Sequence, residues 1–363
     1  MSGDPTSIFI AAMASVGIRT ADKITGDGKL HRIYMEGDRK GTKNGFYTLH
    51  LDPPESGAFG SWKHGVNETW TVDKPERMSP QDRAKLQERM AATRREREAE
   101  IAESHAACRE AAALIMAATE PAKQDHPYLV RKNLNVTPGL KQLARDVKYT
   151  VNDPEKPNRT ARKGSLVIPI YGPDRTLHSV QTIDGTGRKH FLFGTNKKGH
   201  YWSLGKLTPR IVIGEGYSTC ATVHGATGCC TVIAFDSGNL KAVALAIRAK
   251  YPEAEIVMAA DNDRFTTKPV PNPGMTKACE AAAEVGGLVA WPEFDDGELL
   301  DGDEVPTDFN DLAAIRRNRE SVAAAFAVAV APHDIENHVD PRRDVVERPD
   351  ATSSKIVCFG MQV

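Results

Sequence analysis

From residue 211 to 291, short apolar runs alternate with amphipathic stretches, and the alternation predicts strands and helices in turn. Strands are expected at 211–214, 231–235, 256–260 and 288–291, and helices at 218–224, 240–251 and 276–285. Such βαβ patterning implies a parallel sheet with right-handed crossovers. Upstream, 147–149 and 166–170 read as strands. Residues 176–183 and 189–193 alternate around Asp184-Gly185 and Gly187, which suits an antiparallel layer.

The amino-terminal part has a different texture. A short helix over 6–16 ends at Gly17, and short aromatic-bearing strands follow at 30–34, 45–50, 60–62 and 68–70. Its aromatics are interleaved with Arg32, Arg39, Lys40, Lys43 and Lys63, an arrangement that can stack bases while cations hold phosphates. On that reading Trp62 and Trp70 contact nucleic acid; the alternative is that Trp62, Trp70 and Phe46 form the core of a small domain. From 79 to 119 the composition turns to Arg, Glu, Ala and Lys. Ser79 suits an N-cap and Pro80 the first helical position, so one long helix is expected. Leu86, Met90, Ile101, Ala107, Ala111, Leu114 and Ile115 share a face only in its second half. Residues 94–100 read as solvated linker. The polar stretch 332–363 reads as a flexible tail.

The expected organisation is therefore α+β and α/β multidomain. It comprises a β-rich module (1–76), a helical linker (77–120), a basic α+β subdomain (121–205), an α/β parallel-sheet domain (206–331) and the tail. Net charge is −1, yet 131–200 holds 14 Lys and Arg against 5 Asp and Glu, so a polyanion partner is not excluded. Arg159, Arg162, Lys163, Lys189, Lys197 and Lys198 are the candidate phosphate contacts. The six cysteines form no C-x-x-C pair, which predicts neither zinc nor a disulfide framework. No leader pattern and no long apolar run is present, so a cytoplasmic protein is expected. No G-x-x-x-x-G-K-S/T run occurs, and any helicase is expected to be a separate protein.

The chemistry is concentrated in acids that follow predicted strands: Glu215 after 211–214, Asp261 and Asp263 after 256–260, and Asp308 and Asp311 opening a helix. Ligands of open α/β sheets bind beyond the carboxyl ends of strands, so these acids should converge on one crevice. Hard oxygen donors of this kind suit Mg²⁺. Asp236 either lines the same crevice or caps the following helix.

These residues also carry a resemblance. Glu-Gly at one strand end, Asp-x-Asp at a later one and a further acidic pair resemble the Toprim domain of DnaG-type primases, topoisomerases and some nucleases. More narrowly, EGYSTCATVHGATG, AFDSGNL, AADND, NPG and TDFNDL are similar to primases carried by phages and conjugative plasmids, over roughly 120–316. HPYLVRKNL resembles the entry to the primase core, and Lys189 in RKHFLFG matches a lysine of its basic subdomain. HRIYMEGDRKGTKNGFYTLH resembles the amino-terminal module of such primases, without the zinc ligands found there in DnaG-type enzymes. The resemblance implies a primase that joins nucleoside triphosphates on single-stranded DNA. Asp261, Asp263 and Asp308 would hold Mg²⁺ or Mn²⁺, with Asp311 as a further ligand and Glu215 as ligand or general acid/base. Two departures stand out: Thr219 where the DnaG pattern has an acid, and Asp236 where it has a small polar residue. A Toprim nuclease and a catalytically silent nucleic-acid-binding protein are the alternative readings.

Overall fold

The structure is a computed structural model that describes residues 4–38, 41–61, 66–72, 79–153, 156–267, 270–300, 302 and 304–335. The chain divides into two units, 1–100 and 101–363. In the first, α1 (Pro5–Ser15) begins where the Asp4 carboxylate accepts the Ser7 N–H at 3.1 Å. Strands β1 (His31–Ile33), β2 (Gly45–His50), β3 (Ser56–Ser61) and β4 (Val66–Thr71) form an antiparallel sheet in sequence order. Strand β3 begins earlier than expected, with Gly57 and the expected Gly60 both strand residues against crowded neighbours, and β4 extends on both sides of the expected 68–70. A Cβ on Gly60 would lie 2.5 Å from the Phe46 ring.

Phe9 of α1 is the centre of this unit's core, edge-on to Tyr47, Phe59 and Trp70 at 6.0, 5.3 and 5.2 Å. Trp70 is 9% exposed. A ring so covered offers no face for a base, so the structure places Trp70 in the core and not on a stacking surface. Trp62, with Arg39, Lys40 and Lys63, lies outside the described residues.

Helix α2 (Pro80–Ala117) contains the break between units. Ser79 caps it, its hydroxyl accepting the Asp82 N–H at 3.1 Å. Its buried face in the second unit is Cys108, Ala111, Ala112 and Ile115, whereas Leu114 is 55% exposed. Small residues let the helix lie close to a sheet, and the bulkier Leu114 is turned to solvent.

That sheet has the order β11-β10-β9-β6-β5 and is antiparallel. It is built from β5 (Thr119–Pro121), β6 (Lys141–Leu143), β9 (Leu166–Tyr171), β10 (Leu177–Ile183) and β11 (Lys189–Phe191). A short helix α3 (Pro127–Arg131) and a ribbon of β7 (Val147–Thr150) and β8 (Asn158–Ala161) interrupt it in sequence. Alternation along β9 sends Val167 toward α2. Leu166, Ile168 and Ile170 go to the opposite core with Trp202 and Tyr217.

The last sheet has the order β12-β14-β13-β15-β16. Its strands are β12 (Trp202–Leu204), β13 (Arg210–Gly214), β14 (Cys230–Ile233), β15 (Glu255–Ala259) and β16 (Leu288–Ala290). The pairs β13/β14, β13/β15 and β15/β16 are parallel as expected, and β12 adds an antiparallel edge that the apolar pattern did not reveal. Ile211, Ile213, Ile256 and Met258 pack on α5 (Leu240–Lys250) and α6 (Pro273–Val285). Val212 and Val257 pack on α4 (Tyr217–Thr227), α7 (Phe309–Arg316) and α8 (Glu320–Ala327). The Tyr171 and Tyr201 backbones exchange two hydrogen bonds, at 3.1 and 2.9 Å, which tie the two sheets together. Beyond Ala331, residues 332–334 form a 3₁₀ turn, Ile335 is buried, and 336–363 lie outside the described residues. Among the described residues no helix is long and apolar enough to cross a membrane.

Candidate active site

The chain leaves β13 for β14 on one side and then crosses to β15 on the other. The carboxyl end of β13 is therefore a topological switch point, where an α/β sheet opens a crevice. Glu215 stands at that end and is half-buried. Its carbonyl accepts the Phe235 N–H at 2.8 Å, and Phe235 takes a positive φ of 73° to reach it. That left-handed step, costly for a bulky residue, brings the next residue, Asp236, toward Glu215. Burial, then the charges of Asp236 and Asp263, push the Glu215 carboxyl above its ordinary range, with Lys189 and Lys197 opposing. Asp236 caps no helix with its side chain; it pairs with Lys197, whose ammonium also lies 4.8 Å from the Phe191 ring centre.

Asp261 and Asp263 follow β15. Asp261 Oδ1 is buried without a hydrogen-bond partner. Burial, then Asp308, Glu215 and Asp263, push its pKa well up, against Lys189. Asp263 has one oxygen fixed, accepting the Gly274 N–H at 3.1 Å in the first turn of α6. The Asn-Pro-Gly run explains how α6 comes so near. Asn272, at φ 39°, donates to Asn262 Oδ1 at 2.9 Å, Pro273 opens the helix, and Gly274 lies directly against Asp261. A Cβ on Gly274 would stand 2.4 Å from the Asp261 carbonyl oxygen.

Asp308 and Asp311 form a capping box at the start of α7. Asp308 Oδ1 accepts the Asp311 N–H at 2.9 Å, and its Oδ2 accepts from the Thr219 hydroxyl at 3.2 Å. Asp311 Oδ2 accepts the Thr307 and Asp308 N–H groups at 3.0 and 3.3 Å, and its Oδ1 faces Lys132 Nζ at 3.4 Å. Burial and Asp311 push the Asp308 pKa up, while Lys132, the Asp311 N–H and Thr219 pull it down. Lys132 was not singled out in the sequence. Its only signal was its place in HPYLVRKNL, the segment that resembles the entry to the primase core. The role of Thr219 as a donor to Asp308 was equally invisible.

Of the cations, Lys189 is at the acids: its Nζ would be 3.5 Å from a Cβ on Gly216, and its charge acts on Glu215 and Asp261. Lys197 is held by Asp236, and Lys198 beside it is exposed. Arg159 is engaged by Asp153 and by the Lys156 carbonyl. Arg162 pairs with Asp146 at 2.9 Å. Arg162 and Lys163 line an open cleft of about 420 Å³ together with Lys123, His126 and Gln142, and none of the five acids lines it.

Among the described residues, no three His, Cys, Asp or Glu side chains are gathered as a ready-made metal cage. The donor set nonetheless fits a hard divalent cation. The Asp263 charge raises the proton affinity of both Glu215 and Asp261, Glu215 adds to that of Asp261, and a buried oxygen of Asp261 has no protein partner.

No family model matches the chain. Over 287 residues it is 38% identical to a DNA primase TraC of Escherichia coli, an alignment covering 77% of this chain and 25% of that protein. A second DNA primase TraC of Escherichia coli is 34% identical over 302 residues, covering 80% of this chain and 20% of the relative. The chain thus spans a quarter or less of the curated relatives it matches, and the resemblance to plasmid-type primases extends along most of it. Among solved structures, a DnaG catalytic core aligns at TM-score 0.40 and 13% identity, over 66% of this chain and 84% of that one. A DnaG catalytic domain bound to single-stranded DNA aligns at 0.35 and 13%, over 66% and 76%. Likenesses at these TM-scores carry no argument about the site.

Proposed function

We propose that this chain, homologous to one segment of plasmid-type DNA primases, is a metal-dependent nucleotidyltransferase that joins nucleoside triphosphates into a short primer on single-stranded DNA. The observation that carries the reading is the set Glu215, Asp261 and Asp263 at the carboxyl ends of β13 and β15, in a chain 38% identical to a DNA primase TraC over 287 residues. On this reading 206–331 is a Toprim domain and 121–205 the basic subdomain before it. The protein acts on replicating phage or plasmid DNA in the bacterial cytoplasm, with helicase activity as its partner function.

Mg²⁺ or Mn²⁺ held by Glu215, Asp261 and Asp263 would offset charge on the attacking 3′ oxygen and the departing pyrophosphate. Glu215, its pKa lifted by burial and Asp236, is suited to take the proton of the 3′ hydroxyl. Lys189 presents an ammonium to the triphosphate from the rim of the same crevice. Lys198, with Arg162 and Lys163 at their cleft, supplies template contacts to phosphate and sets no sequence preference. Asp308 and Asp311 anchor α7 beside the site.

The test is incubation of the chain with single-stranded DNA, labelled nucleotides and Mg²⁺ or Mn²⁺. Short labelled products are expected, and Asp261→Asn or Asp263→Asn removes them without changing secondary structure. No product with either metal would sink the proposal; strand cleavage instead would make the chain a nuclease.

A further inference from the structure

The acids of the site are not equivalent, and the difference is visible atom by atom. On one side, Asp261 Oδ1 is buried with no partner, and the Asp263 carboxylate accepts from the Gly274 N–H. On the other, each oxygen of Asp308 and Asp311 accepts from the protein: Thr219, three backbone N–H groups and the Lys132 ammonium. Lys132 is held in place by more than its charge. Its backbone carbonyl accepts from Asn310 Nδ2 at 2.8 Å, and the same Asn310 amide donates to Thr222 of α4 at 3.0 Å. The end of α3 is thereby fixed to the start of α7. Burial alone would lower the Lys132 pKa, but the Asp308 and Asp311 charges outweigh it and keep the ammonium charged.

We propose that Lys132 is a built-in counter-cation for Asp308 and Asp311, which keeps that pair out of metal binding, so that the substrate-free protein takes up a single divalent ion at Glu215, Asp261 and Asp263. The inference rests on the reading of these acids as a divalent-cation site. A protein ammonium in direct contact with Asp311 occupies the position from which a second ion would approach the pair. Any second ion must then arrive with the triphosphate.

The test counts Mn²⁺ by calorimetry and by the loss of free-ion paramagnetic resonance, on the whole chain without nucleotide. The parent is expected to bind a single ion, and Asp261→Asn to weaken it by at least about 10–100-fold, the loss that even an outer partner of a metal ligand carries. Lys132→Met, which removes the charge at similar length, is expected to take up a second ion, and adding Asp311→Asn to it to remove that ion again. Asp311→Asn alone preserves an acceptor for the capping box and should retain the single ion, which keeps the test decisive if Lys132→Met does not fold. A parent that binds two ions, or loss of the ion in Asp311→Asn, would overturn this assignment and leave the proposed function standing. No Mn²⁺ uptake at all by a folded parent would overturn both.

Discussion

Gly274 is the residue whose replacement should separate the position of the acids from the stability of the fold. In Gly274→Ala the new Cβ would meet the Asp261 carbonyl oxygen at 2.4 Å, Asp261 Cβ at 2.9 Å and the Asp261 carbonyl carbon at 3.0 Å. A carbon rests against a carbonyl oxygen at about 3.3–3.6 Å, so helix α6 or the Asp261 backbone must retreat by about 1 Å. Overpacking of this kind costs about 1–3 kcal/mol. For a unit of this size that is a fall in Tm of roughly 2–10 °C. The larger effect should be on rate. The retreat moves Asp261 and loosens the Gly274 N–H from Asp263 together, and a displacement of about 1 Å can cost about 100-fold. Gly228→Ala is the matched control. Gly228 ends α4 at φ 69° with nothing within 4 Å of the Cβ that alanine would add, so its cost is the left-handed backbone, about 1–2 kcal/mol, without movement of any acid. Thermal melts and primer-synthesis rates on both variants decide the matter. Parent-like synthesis by Gly274→Ala, or an equal rate loss in Gly228→Ala, would refute the reasoning.

Two further outcomes follow from the same site. In chelator, the raised Asp261 pKa means that the folded chain binds more protons than the unfolded one between the ordinary carboxylate value of about 4 and the raised value. Stability from this group is therefore lost as pH rises through that window, and the parent should fall increasingly behind Asp261→Asn toward alkaline pH. A difference in Tm that does not change with pH would contradict this. For single-stranded DNA, Lys198→Ala should reduce the slope of log affinity against log salt by ~0.7. Lys197→Ala should change it less, because Asp236 already holds that ammonium. Unchanged slopes in both would shift the template contacts to the Arg162 and Lys163 cleft.

The parallel strands of the last sheet were legible because each is a short apolar run closed by glycine, acid or proline, and the acids after β13 and β15 were legible because they directly follow those runs. Strand β12 was not: Trp202–Leu204 is three residues long, and its partner β14 lies 26 or more positions downstream. Trp70 could be read two ways for a different reason. An aromatic among lysines reads alike whether its ring faces a base or Phe9, and only the packing of α1 on the sheet decides. The helix face of α2 misled through size: Leu114 outweighs Ala111 and Ala112 in any hydropathy pattern, yet close approach to a sheet selects the alanines. Lys132 stands 179 positions from Asp311, a contact to which no local pattern points.

That distant contact also accounts for Thr219, which stands where the DnaG pattern has an acid. Position 219 is 2% exposed, and its side chain lies 3.2 Å from Asp308. A carboxylate there would add a buried charge beside a pair that Lys132 alone offsets, and burying an uncompensated charge costs several kcal/mol. A hydroxyl donates to Asp308 instead, so threonine and Lys132 are two halves of one arrangement: fewer acids and a fixed cation. Glu215, Asp236, Asp261, Asp263, Asp308 and Asp311 still outnumber Lys132, Lys189 and Lys197 by three. One divalent ion cancels most of that excess, whereas two would leave the crevice positive until a triphosphate enters it. On the proposed metal reading, the residue that departs from the resemblance is not a defect to be compensated elsewhere; it belongs to a site in which the Lys132 ammonium stands in for a second ion.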